Sequence, residues 1–171
     1  LQFFIFRPTN DVEYLIRNLI NENLKLSKTT TIFEPGCGTG RHLTYLNDKY
    51  NCRVFGVDSY TPCIQIANLI NGKENAYVNF KNISALDLKE LDNFIPDDID
   101  LIYINSWLNH VFHLNDYFDF INFISLRTKF LAVISNSKYL LKLEDSLPGF
   151  ILIKEVTIEN TIYLIYKSNT L

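Results

Sequence analysis

An acidic residue followed by three closely spaced glycines is the part of this sequence best suited to chemistry. Glu34 precedes Gly36, Gly38 and Gly40 in the stretch IFEPGCGTGRHL, between an apolar segment and the start of a helical pattern. A turn from a strand into a helix presents backbone N–H groups and the positive end of a helix dipole to a ligand. Because glycine has no side chain, the three glycines let that backbone approach the ligand closely. The stretch therefore predicts a ligand-binding turn.

The spacing of the glycines separates the ligands that such a turn could hold. A phosphate-binding loop of the form GxxxxGK[ST] ends in a lysine that this stretch lacks. A dinucleotide fingerprint GxGxxG needs a glycine where this chain has Arg41. A second acid, Asp58, ends the next apolar segment, where a carboxylate can bind the two hydroxyls of a ribose. A ligand with a ribose is therefore favoured over one held by its phosphates.

The order of the predicted elements positions these residues. Short β-branched or apolar segments predict strands at 29–33, 53–58, 76–80, 101–104 and 130–135. Apolar residues at helical spacing predict helices at 11–24, 42–50, 61–71 and within 116–126. Strands and helices that alternate in this way predict an α/β fold, in which helices cover both faces of a parallel sheet.

The C-terminal end departs from this alternation. The stretch GFILIKEVTIENTIYLIYK contains two strand-like segments separated by a turn near Glu159 and Asn160. This turn is too short for a crossover between parallel strands, so the pair must form an antiparallel hairpin. No repeat or linker divides the chain, and its 171 residues suffice for one hydrophobic core. We expect a single domain.

The glycine turn and the segment that ends at Asp58 resemble a known family. FEPGCGTGRHL followed by VFGVDSYTPCIQIAN is similar to the first two motifs of the class I S-adenosylmethionine-dependent methyltransferases. The resemblance implies a three-layer α/β/α, Rossmann-like fold with a seven-stranded, mostly parallel sheet whose last strand is antiparallel. It also implies that residues 1–171 form one methyltransferase domain and that the cofactor is S-adenosyl-L-methionine.

The resemblance also implies roles for residues of the turn and of the loops that follow. Glu34 would orient the turn or reach the amino group of the cofactor, and Asp58 would bind the ribose hydroxyls. The third family motif aligns with Ser84 and Ala85, where the acid that often contacts the adenine amino group is missing; Asp87 could replace it only in a shifted loop. The full set of expected cofactor-binding residues is Glu34, Gly36, Cys37, Gly38, Gly40, Asp58, Ser59, Tyr60, Ser84, Ala85 and Asn105.

The catalytic residues are expected in the loop after the fourth strand, INSWLNHVFHLND. In the family, the position of Asn105 often carries Asp or Asn near the transferred methyl group, and Trp107 could form a wall of the pocket. An oxygen nucleophile needs a base to remove its proton, and His110 is the candidate. The alternative is a structural histidine that shares a helix face with His113. His42 is expected to be solvated or packed.

Composition and charge restrict the partners. The net charge is −3 and the basic residues are scattered, so nucleic acid is disfavoured and a small-molecule acceptor is expected. The NPPY-like sequence of amino-methylating DNA enzymes is also absent, because NSWL stands there. Asp116 and Asp119 resemble acids on a helix surface, so no metal is expected. A homodimer is a further hypothesis, since three apolar residues could pack either in the core or at an interface: Phe3, Phe4 and Phe6.

The lengths of the apolar runs and the cysteine pattern predict where in the cell the protein is located. The longest apolar runs have the length of strands, so no membrane partner is expected. Three cysteines without a CxxC pattern, and no recognisable secretion signal, predict a cytoplasmic protein. Cys37 is expected to pack, not to act as a nucleophile, because the turn offers it no base. The sequence has no methionine, so we do not expect residue 1 to be the native start.

Three functions stay open at this point. The leading prediction is methyl transfer to a nitrogen or oxygen of a small molecule. A nicotinamide-dependent oxidoreductase would share the sheet but would not need Glu34. A non-catalytic S-adenosylmethionine-binding protein, or a methyltransferase subunit that depends on a partner, would keep the cofactor site without turnover on its own.

Overall fold

The chain folds around one mixed β-sheet. The computed structural model describes residues 15, 22–71, 76–105, 107–111, 116–136, 147–158 and 161–170. Within these residues there are seven strands, at β1 Thr31–Pro35, β2 Arg53–Val57, β3 Val78–Lys81, β4 Ile99–Asn105, β5 Thr128–Asn136, β6 Phe150–Ile158 and β7 Thr161–Ser168. Their order across the sheet is β3-β2-β1-β4-β5-β7-β6.

The direction of the strands confirms the predicted fold class. Strands β1 to β5 pair in parallel, whereas β7 is antiparallel both to β5 and to β6. The pair β6 and β7 is the hairpin expected from the C-terminal stretch. Since the chain runs from β1 to β2 on one side and returns to β4 on the other, the order of strands reverses at β1. Ligands in such sheets bind beyond the carboxyl ends of the strands, at this point of reversal.

Helices cover both faces of the sheet, as the alternation of elements predicts. Neighbouring residues of a strand point to opposite faces, and Ile32 and Phe33 of β1 accordingly lie in two different apolar cores. The core around Ile32 also contains residues of helices α1 (Arg41–Tyr50) and α2 (Thr61–Asn71). The core around Phe33 contains residues of α3 (Leu88–Asp92), α4 (Leu108–Val111) and α5 (Asp116–Ser125). None of the described helices is long and apolar enough to cross a membrane.

The ends of the first predicted strand were wrong by two residues. Thr30 forms a turn with Ser27, because its backbone N–H donates to the Ser27 carbonyl and its hydroxyl accepts from the Ser27 N–H. The strand therefore begins at Thr31 and continues to Pro35. Glu34 is thus inside the strand, paired in register with Gly56 of β2, and its side chain has the fixed direction of a strand residue.

Other differences concern short or peripheral segments. Helices α3 and α4 were not predicted, because five and four residues are too few to show a helical period. Of the predicted helix at 11–24, Leu15 is helical, while Glu22 to Leu24 are not. Several expectations concern positions outside the described residues: the rest of that helix, His113, the turn at 159–160, and the possible interface residues Phe3, Phe4 and Phe6.

Candidate functional site

The glycine turn after β1 has a left-handed backbone. Gly36, Gly38 and Gly40 have φ angles of 65°, 55° and 69°, a region that side chains other than glycine rarely adopt. The turn is closed by two hydrogen bonds: the Cys37 N–H donates to the Val57 carbonyl at 2.9 Å, and the Gly40 N–H donates to the Cys37 carbonyl at 3.0 Å. The turn therefore requires glycine for its conformation before any ligand is considered.

The three glycines differ in the atoms that a side chain at each position would meet. A Cβ atom on Gly36 would overlap the Trp107 ring, and one on Gly40 would overlap the Phe80 ring. At Gly38 no atom of the described residues, apart from Gly38 and its two chain neighbours, lies within 4 Å of that position. Side chains therefore cover the Cβ side of Gly36 and Gly40, whereas the Cβ side of Gly38 is open among the described residues.

Alanine substitutions can separate these two roles of glycine. We expect Gly36→Ala to lower the free energy of unfolding by about 1 to 3 kcal/mol more than Gly38→Ala does. Both variants strain a left-handed backbone by about 1 to 2 kcal/mol, but only at Gly36 must the Trp107 ring move. Denaturant unfolding of both variants measures the difference. Equal losses would mean that the ring of Trp107 moves away from the turn without cost.

Asp58 holds the glycine turn from the end of the neighbouring strand. One carboxylate oxygen accepts from the Gly38 N–H at 2.9 Å, and the other accepts from the Tyr60 N–H at 2.8 Å. Each oxygen keeps a further lone pair, so two more hydrogen bonds can be accepted. The structure therefore brings Asp58 and Gly38 together, and gives Asp58 a role in shaping the turn that the sequence did not indicate.

Glu34 is a buried carboxylate with one unsatisfied oxygen. Only 2% of the residue is exposed, and its Oε1 atom lies 3.0 Å from Nδ1 of His42. Its Oε2 atom is also buried and has no hydrogen-bond partner among the described residues. Burial raises the pKa of this carboxyl above its ordinary value, although His42 and Arg41 lower it in part. A cationic group of a ligand would compensate this charge, which fits the ammonium group of S-adenosylmethionine.

Cys37 packs under the turn. The residue is buried, and a Cβ on Gly56 of β2 would come within 2.8 Å of its Sγ atom. Burial, followed by the nearby Glu34 and Asp58 carboxyls, raises the pKa of the Cys37 thiol far above its ordinary range. Because the thiolate is the nucleophilic form, this thiol is unsuited to nucleophilic chemistry.

The residues expected at the adenine end lie in two loops, one after β2 and one after β3, and hydrogen bonds connect these loops. The Asn82 side chain donates to the Asp58 carbonyl at 2.8 Å and accepts from the Thr61 hydroxyl at 2.7 Å. Ser59 and Tyr60 of one loop are exposed, whereas in the other Ser84 is exposed and Ala85 is buried. Asp87 accepts from the Glu90 N–H as the N-cap of α3, so in this structure its carboxylate serves the helix.

The residues expected to be catalytic follow β4 at the same edge of the sheet. Asn105 is the last residue of β4 and is half-buried, and the exposed His110 lies on α4. Between them, the Trp107 ring packs against Gly36 on one side and against Phe120 on the other, with ring centroids 5.0 Å apart. Trp107 therefore lies directly against the glycine turn.

Three residues with contacts to the site were not assigned to it from the sequence. His42 was expected to be solvated or packed, and it is buried against Glu34. Asn82 and Phe80 lie in or just after β3, and only the position at the carboxyl end of a strand could have indicated them. Among the described residues no group of three or more His, Cys, Asp or Glu is placed to hold a metal ion.

Comparisons with known proteins found a matching family model and solved structures with a similar fold. A family model described as a methyltransferase domain matches residues 32–125, more than half of the chain. No curated protein sequence matches the chain. Among solved structures, geranyl diphosphate C-methyltransferase from Streptomyces coelicolor, crystallised with S-adenosyl-L-homocysteine, is 13% identical with a TM-score of 0.67, covering 94% of this chain and 77% of that one.

Two further structures share the fold. Magnesium protoporphyrin IX methyltransferase from Synechocystis, with bound S-adenosylmethionine, is 15% identical with a TM-score of 0.64, covering 94% of this chain and 79% of that one. A chain from a complex that contains the Trm112 methyltransferase activator of Haloferax volcanii is 13% identical with a TM-score of 0.66. This match covers 94% of the present chain and 92% of the other. At these identities the structural likeness establishes the fold.

Proposed function

The chain belongs to the class I S-adenosylmethionine-dependent methyltransferases, and we propose that it transfers the methyl group to a nitrogen or oxygen of a small-molecule acceptor. The observation that carries this proposal is the buried Glu34 carboxylate in β1, together with the open backbone at Gly38 in the turn that follows. A nicotinamide cofactor would give this carboxylate no ammonium group to compensate.

We further propose that residues 1–171 form one domain, and that the protein is cytoplasmic, which its free cysteines support.

We propose the following roles for the residues around the turn. Glu34 provides the countercharge for the ammonium group, and the Gly38 backbone gives the ligand close access to the turn. Asp58 accepts hydrogen bonds from the ribose hydroxyls with the lone pairs that the turn leaves unused. Ser59, Tyr60, Ser84 and Ala85 would flank the adenine. When bound, S-adenosylmethionine supplies a methyl group on a positively charged sulfur.

The residues after β4 would act on the acceptor. Asn105 lies at the carboxyl end of β4, where its amide can orient the nucleophilic atom. Trp107 excludes water from the turn, because its ring covers Gly36. His110 would take the proton of an oxygen acceptor, and its exposed position on α4 keeps it accessible to one. The net charge of −3 supports a small acceptor over a nucleic acid.

A partner-dependent subunit is the second candidate, and a surface of α2 favours it. Leu69 and Ile70 are 82% and 57% exposed, and Ile66 lies on the same face of this helix. Exposed apolar patches on soluble proteins often mark sites of association. One structure of the same fold occurs in a complex with a methyltransferase activator. In this case the chain would bind the cofactor but transfer no methyl group alone.

Calorimetric titration with S-adenosylmethionine, S-adenosylhomocysteine and NAD tests the proposal. We expect the first two to bind and NAD not to bind. Trp107 is the single tryptophan of the chain and lies against the turn, so its fluorescence should change on binding. The Trp107→Phe variant is the control for that signal. Binding of NAD alone would contradict the proposal, and cofactor binding without turnover on any amine or hydroxyl acceptor would favour the second candidate.

A further inference from the structure

His42 and Glu34 form a buried pair beneath the glycine turn. Nδ1 of His42 and Oε1 of Glu34 are 3.0 Å apart, and the side chains are only 10% and 3% exposed. When Glu34 is ionised, its carboxylate can only accept hydrogen bonds, and His42 then donates to it from Nδ1. Hydrogen bonds to a charged group in a buried environment are among the stronger ones in proteins. The pair thus fixes one carboxylate oxygen and leaves the other, Oε2, without a partner among the described residues.

The orientation of His42 is itself determined by packing. His42 lies in the first turn of α1, directly after the glycine turn, and its ring meets the Tyr103 ring of β4 edge to face. The two ring centroids are 5.4 Å apart, with an angle of 77° between the planes. An imidazole held by this contact on one side presents a fixed Nδ1 to Glu34 on the other. A solvated histidine at this position would not do so.

We propose that His42 is a positioning residue, which holds the Glu34 carboxylate so that it acts as the countercharge for the ammonium group of S-adenosylmethionine. This inference rests on the proposed function. Oε2 is enclosed in this structure, so a direct contact with the ammonium group needs a movement of covering atoms. The attraction between the two charges does not need that contact, because it acts through a weakly polarisable interior.

The pair gives ligand binding a characteristic pH dependence. The titratable and charged groups around the carboxyl of Glu34 are Arg41 and His42 of α1, Cys37 of the turn, Asp58 after β2, and Tyr103 of β4 behind the histidine. Burial raises the pKa of Glu34, and the strongest opposing effect comes from the charge and hydrogen bond of His42. Loss of His42 therefore raises this pKa further. At a given pH less of the carboxyl is then ionised, and attraction for the ammonium group returns as the pH rises.

Three variants and two ligands test this role. S-adenosylhomocysteine carries the ammonium group, whereas 5′-methylthioadenosine shares the adenosine and sulfur but lacks the amino acid part. His42→Leu removes the hydrogen-bond donor, His42→Asn keeps a donor near the position of Nδ1, and His42→Gln moves it to the position of Nε2. Titrations from about pH 6 to about pH 9 cover the range above the ordinary carboxyl pKa.

We expect His42→Leu to bind S-adenosylhomocysteine about 10-fold more weakly than the wild type near neutral pH, and to recover at higher pH. His42→Asn should restore most of the affinity, His42→Gln should resemble His42→Leu, and 5′-methylthioadenosine should bind all forms equally. If His42→Leu does not fold, the comparison of His42→Asn with His42→Gln carries the test.

Two results would overturn the inference while the proposed function stands. The first is a uniform loss for both ligands at every pH, which would indicate a purely structural histidine. The second is unchanged binding of S-adenosylhomocysteine by His42→Leu and His42→Gln. If the wild-type protein bound no S-adenosylhomocysteine at all, the proposed function and this inference would both be wrong.

Discussion

Substitution of Glu34 by glutamine is expected to weaken binding of S-adenosylhomocysteine about 10²- to 10³-fold near pH 8, without lowering the stability of the free protein. Glutamine has nearly the same shape, and its carbonyl oxygen can still accept from His42. The change therefore removes mainly the charge. Loss of one partner from a buried charge pair costs about 2 to 5 kcal/mol of binding free energy, and the expected loss corresponds to about 3 to 4 kcal/mol within that range.

The expected effect on stability has the opposite direction. A buried carboxylate with one unsatisfied oxygen destabilises the folded protein, and the raised pKa of Glu34 expresses this cost. The folded state favours the protonated carboxyl, so the cost is absent at low pH and grows as the pH rises through the raised pKa. Glutamine has no charge to bury, so the free energy of unfolding at neutral pH should be equal or higher in Glu34→Gln.

Calorimetry and denaturant unfolding measure these two effects separately. Glu90→Gln is the matched control, because Glu90 is half exposed and pairs with Lys81 on the surface at 3.0 Å. Such pairs contribute little, so neither affinity nor stability should change measurably. A Glu34→Gln protein that binds normally but unfolds more easily would show that Glu34 supports the turn and not the ligand.

Part of the site geometry could be predicted from local patterns in the sequence. The apolar periods of the strands are local features, and they predicted the parallel sheet, its helical layers and the C-terminal hairpin. Because carboxyl ends of neighbouring parallel strands meet at one edge, the turn after β1 and the acid after β2 had to be neighbours. Two observations agree with this neighbourhood: Glu34 pairs in register with Gly56, and the Gly38 N–H donates a hydrogen bond of 2.9 Å to the Asp58 carboxylate.

The contacts that cover the turn could not be predicted in this way. Trp107 reaches Gly36 from the loop after β4, and Phe80 reaches Gly40 from β3. Both are distant from the turn in sequence, and their positions depend on side-chain rotamers and on the loops. His42 lies in the first turn of a helix, where a polar side chain can point either to solvent or inward. Its burial depends on Glu34 and Tyr103, and thus on the assembled sheet.

Substitution of Asp58 by alanine is the second large effect that we expect. Without the carboxylate, the N–H groups of Gly38 and Tyr60 lose their acceptor and the ribose hydroxyls lose theirs. Hydrogen bonds to a charged group contribute about 1.5 to 3 kcal/mol each. The contacts to the turn exist before the ligand binds, so their loss changes the shape of the turn, while the loss of the ribose contacts weakens binding directly. We expect S-adenosylhomocysteine to bind about 10²- to 10³-fold more weakly.

The matched control for this change is a carboxylate at the opposite edge of the sheet. Asp97 precedes β4, and its side chain is 96% exposed, so Asp97→Ala should bind as the wild type does. The apolar cores do not include Asp58, so the sheet should remain folded in Asp58→Ala, which far-ultraviolet circular dichroism can verify. Unchanged affinity in a folded Asp58→Ala protein would remove Asp58 from the proposed site.

The choice of ligand distinguishes the two carboxylates from each other. Asp58 would contact the ribose and shape the turn, so Asp58→Ala should weaken binding of S-adenosylhomocysteine and of 5′-methylthioadenosine alike. Glu34 would act only on the ammonium group, so Glu34→Gln should weaken the first ligand and spare the second. If both variants bound both ligands equally weakly, the result would mean that either substitution disrupts the whole turn. Selective loss would instead show that the two acids recognise opposite ends of one cofactor.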